Sequence, residues 1–311
     1  MTRFWLRFLL LCRPNTKDKT DSPPTFTDLY EPTGERLGRG AYGSVHTYRY
    51  KPNGKEYAVK RIRCKTPADR AKVFQEIEMH RVSAGCANVL RLLDYYEEGD
   101  LFYLVFEKMA GGDLYRLLCR RALSREEVRA VVRGTARALR ELHARGIAHC
   151  DVKPDNVLCR VRGRVTSLRL CDLNLASQEE RLIGFRGSPD LMAPEVVVNR
   201  NKSESEQVGY DKRCDMWSLG AMMYMLLFDC MPFERMCGRK QCSFGQEFGK
   251  CSDCDRRTFN AILKGDFRIP KKCKKSSPSA LDLIRKLLAV NPEDRLTAEE
   301  VCEHSFITNN C

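Results

Sequence analysis

Internal repeats are absent from this 311-residue chain, and low-complexity sequence is confined to the short tail and small loops. Stacked-repeat architectures and long disordered arms are therefore excluded. The apolar stretch Phe4–Cys12 is nine residues long and is interrupted by Arg7, with no small-residue cleavage site after it. A bilayer span takes roughly 20 apolar residues, so this stretch neither crosses a membrane nor reads as a signal peptide. Weak amphipathic anchoring beside Arg3, Arg7 and Arg13 is the one membrane contact it leaves open. Acid is the scarcer charge, 41 residues against 54 basic, a net +13. Such a surplus speeds encounter with acidic partners, RNA-bound complexes among them. No base-reading motif with interleaved aromatics accompanies it, so direct nucleic-acid readout is not expected. The clusters Arg116–Arg140 and Lys271–Lys275 read as solvated faces.

What is present points to phosphoryl transfer. The run His149-Cys150-Asp151-Val152-Lys153-Pro154-Asp155-Asn156 is followed by Cys171-Asp172-Leu173-Asn174. It supplies a carboxylate to orient a hydroxyl (Asp151), a nearby cation (Lys153), and an amide with a second carboxylate for Mg²⁺ (Asn156, Asp172). That chemistry needs positioning and charge neutralisation rather than covalent help. Mg²⁺ itself prefers oxygen ligands from one or two side chains plus phosphates.

Upstream, Gly38-Arg39-Gly40-Ala41-Tyr42-Gly43-Ser44-Val45 is a G-x-G-x-x-G-x-V loop. Alone it would equally suit a dinucleotide-binding fold. However, no helix opens directly after it, and Tyr57-Ala58-Val59-Lys60 follows as a strand. A helix is predicted from Thr66 to about Val82, with Thr66 as N-cap and Pro67 in its first turn. It offers Glu76 and Glu78; at about 100° per residue, Glu76 lies nearer the side of Val73 and Ile77. Glu76 is therefore the expected partner of Lys60.

With these residues in order, the chain resembles the eukaryotic serine/threonine protein kinases over roughly residues 30–307. Met192-Ala193-Pro194-Glu195, the run Asp211–Gly220, and Arg295 as the expected partner of Glu195 extend the likeness. Phe102–Met109, Gly146–His149 and Tyr210–Asp215 look like the MAP-kinase-interacting kinases of the calmodulin-dependent kinase group. The resemblance implies an α+β, bilobal fold: a small β-rich N-lobe over about 30–107 and a larger helical C-lobe over about 108–307. Residues 1–29 would form a flexible lead-in and 308–311 a tail. A chain of this size buries roughly three quarters of its unfolded surface, enough for two lobes around one cleft.

It also implies a site. Leu37 and the glycine loop (Gly38, Arg39, Gly40, Ala41, Gly43) would cover ATP, and Val45, Ala58 and Leu158 would sandwich the adenine. Glu107 to Met109 would form the hinge, behind a bulky Phe106. Lys60 held by Glu76 would bind phosphates, and Asp151, Lys153 and Asn156 would act at the transferring group. Asp113 and Asp155 occupy positions that touch ribose or a basic residue upstream of the acceptor; Asp113 stands where the nearer relatives carry serine. Among 16 cysteines, Cys237, Cys242, Cys251 and Cys254 alone have ligand-like spacing, in an insert over about 234–257 where that subfamily holds structural zinc. The alternative for these four is free thiols. An ATP-dependent enzyme belongs in a reducing compartment, cytoplasmic or nuclear, so disulfides are not expected.

Three departures bear on regulation. Cys150 replaces the arginine that normally grips an activating phosphate, and between Asp172 and Glu195 only Ser177 and Ser188 carry hydroxyls. Asn174 stands where most kinases have glycine, and His80 where the helix normally gives an apolar residue to an internal column with Leu92, Leu173 and His149. The expected function is transfer of the ATP γ-phosphoryl group to a Ser/Thr hydroxyl of a protein substrate, by resemblance a translation initiation factor, by a monomer. A nucleotide-binding pseudokinase acting as a scaffold is the alternative.

Overall fold

The computed structural model describes residues 23–40, 43–235, 251–270 and 277–308. Phe4–Cys12, Ala41, Cys237, Cys242 and Lys271–Lys275 lie outside the described residues. Strands β1 (Tyr30–Gly40), β2 (Gly43–Tyr50), β3 (Glu56–Arg63), β4 (Leu92–Glu98) and β5 (Leu101–Glu107) form an antiparallel sheet in the order β1-β2-β3-β5-β4. Strand side chains alternate with period two, and here both faces are covered. Ala58 and Ile62 of β3 join Phe102, Leu104 and Phe106 of β5 in one buried cluster facing the second lobe. Val59, Tyr103 and Val105 face the other way.

Helix α1 (Pro67–Val82) packs on the first of these faces. Thr66 and Asp69 make a reciprocal capping box at its start. Its buried positions Val73, Glu76, Ile77 and His80 recur at i, i+3, i+4 and i+7, one stripe of an α-helix. That spacing buries one acid and one imidazole among apolar neighbours.

The helical lobe is built on α2 (Arg125–His143), α3 (Cys214–Phe228), α4 (Ser252–Lys264) and α5 (Pro278–Leu287). Helix α3 is apolar nearly all round and correspondingly buried, with Trp217, Met222 and Met223 fully enclosed. Short strands β6 (Gly112–Asp113), β7 (Val157–Val161) and β8 (Arg164–Leu170) form a small sheet beneath the cleft. Arg295 ties this lobe together. Its side chain is wholly buried, bonds Glu195 at 2.5 and 2.7 Å, and lies 5.1 Å over the Trp217 ring.

The packed lobe begins before residue 30. Thr25 and Asp28 cap a single turn, Phe26–Leu29, that inserts Phe26 into the outer face of the sheet. The ring stacks on Tyr103 at 4.0 Å and on Tyr30 at 4.9 Å, and its backbone N–H donates to Glu98 at 2.6 Å. A boundary at residue 30 follows from the polar, proline-containing sequence through Pro24, in which a lone aromatic gives no periodic signal. Truncating a buried Phe costs about 3–5 kcal/mol. Phe26→Ala is expected to lower the unfolding free energy by about 3 kcal/mol in urea titrations; a loss below about 1 kcal/mol would mean that the turn merely rests on the sheet.

Candidate active site

Lys60 sits at mid-strand in β3, opposite Val45 of β2 and Leu104 of β5. Its ammonium donates to Glu76 Oε1 and Oε2 at 2.7 and 3.0 Å and to Asp172 Oδ1 at 2.9 Å. Burial alone would push Lys60 down, yet the two carboxylates outweigh it and hold the lysine above its ordinary range. Burial likewise opposes ionisation of Asp172, but Lys60 keeps that carboxyl below the usual carboxylate range. Burial pushes the Glu76 carboxyl upward, with Lys60 opposing. The three groups link the strand, the helix and the turn that begins at Asp172.

The unusual backbone angle of that turn falls on Asp172 (φ 65°) and not on Asn174. A left-handed residue that is not glycine costs about 1–2 kcal/mol. Asn174 instead sits in a 3₁₀ turn, Leu173–Leu175, with its side-chain oxygen buried and without a hydrogen-bond partner.

The catalytic loop hangs from Asp215 at the start of α3. Its buried carboxylate accepts the backbone N–H groups of His149 and Cys150 and lies 2.8 Å from His143 Nε2. Burial opposes its ionisation, but the His143 contact and these N–H donors hold the carboxyl below its usual range. So suspended, Asp151 receives Lys153 Nζ at 2.7 Å on Oδ2 and the Ser188 hydroxyl at 2.8 Å on Oδ1. Asn156 donates its amide to the Asp151 carbonyl at 2.8 Å and to Oδ2 at 3.1 Å, which turns its own side-chain oxygen toward other use. Lys153 also donates to Ser188 Oγ at 3.0 Å. Ser188 is thus a site residue whose role sequence reasoning missed. Its signal was the glycine before it: Gly187 has φ 109°, and a Cβ there would lie 2.6 Å from the Cys150 carbonyl oxygen.

Above this loop, Leu37, Val45 and Leu158 pack, partly buried, on Ala58, Phe106 and Met109. These six side chains make an apolar slot suited to a flat heterocycle. Gly38, Arg39 and Gly40 belong to β1, with Gly40 paired to Gly43 across the turn. A Cβ at Gly43 would fall on the Arg61 carbonyl oxygen, so the strands meet there only because the residue is glycine. The Glu107 carboxylate is held by Arg160 at 2.8 Å and Arg169 at 3.4 Å.

Asp113 has a structural duty. It caps the short helix Leu114–Leu118, accepting the Arg116 N–H at 2.8 Å, and pairs with the Arg116 guanidinium at 3.2 Å. Serine caps helices equally well, so a cap at this position does not of itself require aspartate.

His80 is the discordant member of α1. It is fully buried 5.2 Å from the Phe106 ring, and neither nitrogen has a hydrogen-bond partner of normal geometry. Burial, then the Lys60 charge, push its pKa down to about 3, and a weak backbone contact at Leu90 offsets little of this. Each orphaned polar group costs about 1–3 kcal/mol. His80→Leu is expected to raise the unfolding free energy by about 1–2 kcal/mol in urea titration; a destabilised variant would mean that the imidazole has a partner.

The Protein kinase domain family model matches residues 32–307. MAP kinase-interacting serine/threonine-protein kinase 2 of Xenopus laevis is 40% identical over 92% of this chain and 63% of its own length. The Caenorhabditis elegans relative mnk-1 is 38% identical over 93% of this chain and 43% of its own, so the chain spans about half the length of these relatives. MAP kinase-interacting serine/threonine-protein kinase 1 of Xenopus laevis is 38% identical, covering 95% of this chain and 73% of the relative. Among solved structures, the twitchin kinase region of C. elegans superposes with a TM-score of 0.76 over 93% of this chain and 48% of that one, at 23% identity, which speaks for the fold alone. The chain belongs to the protein kinase family, within the group of MAP kinase-interacting serine/threonine kinases.

Proposed function

We propose that the chain is an ATP-dependent protein serine/threonine kinase. The observation that carries the reading is the closed contact of Lys60 with Glu76 and Asp172, which holds a charged amine at the mouth of the apolar slot. Lys60 would bind the phosphates of ATP, and the slot its adenine. Asp151 would orient the attacking hydroxyl, which takes the position that Ser188 Oγ now fills beside Lys153. Lys153 would neutralise charge on the transferring group. Asn156 and Asp172 offer the oxygen donors that Mg²⁺ prefers, and the ion would supply further neutralisation of the phosphates.

The acceptor is a Ser/Thr hydroxyl of a protein, by resemblance a translation initiation factor. Asp155 feels Lys153 on one side and the like charges of Asp113 and Asp151 on the other, and Arg116 pairs with Asp113, so three acids stand against two cations. This surplus supports a preference for a basic residue upstream of the acceptor. Asn174's unpartnered oxygen favours a different reading, a nucleotide-binding scaffold without transfer activity. The Lys60–Glu76–Asp172 contact weighs against it.

Activity is inferred to be independent of an activating phosphate. Cys150 offers no cation to receive one, Ser177 is buried in backbone pairing with Ala148, and Ser188 is engaged by Asp151. Removing a positioned acid–base group costs about 10²–10⁴ in rate. Phosphatase-treated chain is expected to phosphorylate Ser/Thr peptides with Mg²⁺ and ATP, with peptides basic upstream preferred, and Asp151→Ala to lose at least about 10²-fold. Equal rates for Asp151→Ala and the parent would favour the scaffold, and loss of activity on phosphatase treatment would refute phosphate independence.

We also infer a structural zinc in the insert. Cys251 and Cys254 stand at the N-cap and first turn of α4, both partly exposed and one helical turn apart, an arrangement suited to a metal knuckle. Cys237 and Cys242 would complete four thiolates. Metal analysis of the purified chain is expected to find about one zinc per molecule, with Cys251→Ser lowering it severalfold; a zinc-free folded chain would exclude the site.

A further inference from the structure

The sheet of the smaller lobe carries a second set of cations, on the face turned away from the nucleotide slot. Arg36 of β1 stands opposite His46 of β2, and Ser44 of β2 stands opposite Arg61 of β3. Residues opposite one another in an antiparallel pair share a face, with Cβ atoms about 5 Å apart, and so do alternate residues along a strand. His46 is also opposite Val59, which belongs with Tyr48 and Tyr103 to the outer aromatic cluster. Arg36, Ser44, His46 and Arg61 therefore occupy one patch of that outer face, beside the turn that pairs Gly40 with Gly43. Lys60, the neighbour of Arg61, turns to the cleft instead.

These cations lack counter-ions. Arg49 pairs with Glu31 at 3.1 Å and Arg63 with Asp100 at 3.2 Å, whereas neither Arg36 nor Arg61 has a carboxylate partner among the described residues. Glu35 is taken by Thr47 and Lys108, and Glu98 by the backbone N–H groups of Phe26 and Thr27. The Arg61 guanidinium lies 6.0 Å over the Tyr103 ring, and its Nε is shielded without a hydrogen-bond partner. Burial, then the charges of Arg61 and Arg36, hold the His46 imidazole below its ordinary range. Like charges set opposite one another weaken a strand pair, and nothing within the chain offsets that here. The pairing also shifts register on both sides of Arg36, the mark of bulges, which re-aim side chains.

We propose that Arg36, His46, Arg61 and the Ser44 hydroxyl form a binding site for a phosphoryl dianion, free or carried as a monoester on a protein side chain. The match is one of charge and donor number. A phosphoryl group brings about two negative charges and three strong acceptor oxygens. A carboxylate, with a single charge, would leave most of this cationic set uncompensated. Oxygens seated side-on to Arg61 would reach Nε and a terminal N–H together, the paired geometry in which arginine binds phosphate. Ser44 adds a neutral donor, and His46 takes up a proton as the dianion arrives. The bound group would bridge β1, β2 and β3 at the root of the glycine turn, behind the slot.

The test follows the histidine ring signals of the full chain by NMR through a pH titration at constant ionic strength. The arms are inorganic phosphate, a phosphoserine peptide, the same peptide unphosphorylated, and chloride alone, with His46 assigned by His46→Gln. His46 is expected to titrate at higher pH with phosphate or the phosphopeptide, because a nearby dianion favours the imidazolium, and to ignore the unphosphorylated peptide. Tighter binding of the phosphopeptide than of phosphate identifies a protein-borne group as the ligand; otherwise the ligand is the free ion. Arg36→Gln and Arg61→Gln are each expected to weaken the response about 10-fold or more, as loss of charge-assisted hydrogen bonds does. Arg36 is exposed, so its variant reads the site even where Arg61→Gln disturbs the sheet. Lys60 attracts phosphate on the other face, so the His46 signal separates this site from the nucleotide slot and needs no transferase activity. A His46 titration moved by neither phosphate nor the phosphopeptide would overturn the proposal, as would an equal response to the unphosphorylated peptide or undiminished binding by Arg36→Gln.

Discussion

One buried carboxylate, Asp215, carries the geometry of the site. An ionised group without water must be repaid by hydrogen bonds, and here the repayment comes from the backbone of the catalytic loop itself. The His149 and Cys150 N–H groups point inward because Asp215 needs them, and that constraint turns Asp151 outward into the cleft. Helix α3 can offer such an anchor because it is buried along most of its length. Desolvation, usually a cost, is used here to make two backbone bonds hard to break.

The opposite lobe uses charge differently. Lys60 lies between two acids, one almost wholly buried and one at the cleft, so the strand, helix α1 and the Asp172 turn share a single charged centre. Helix spacing places His80 one turn after Glu76 on the same buried stripe. The helix therefore brings one polar group that is satisfied and one that is not. The favourable pair and the orphaned ring act on the same element, which makes the placement of α1 a balance rather than a certainty.

Much of this was legible in the residues. The order of motifs identified the lobes, and helical periodicity chose Glu76 over Glu78, because facing is a matter of angle that sequence encodes directly. Ser188 was legible only as one of two hydroxyls between Asp172 and Glu195, since its bond to Asp151 depends on how closely Gly187 lets two distant loops approach. The left-handed angle at Asp172 was not legible, because aspartate carries no glycine-like signal for it. Asp113 was legible by resemblance as a recognition position, whereas its second duty as a helix cap depends on where the short helix begins. The burial of Phe26 was invisible because its partners come from four separate strands.

That insertion has a practical consequence. Phe26 docks on the sheet face that looks away from the nucleotide slot, so the polypeptide enters the lobe from its rear. Whatever loosens that plug acts on the slot only through the thickness of the sheet, because its aromatic bed and the slot lining share no side chain.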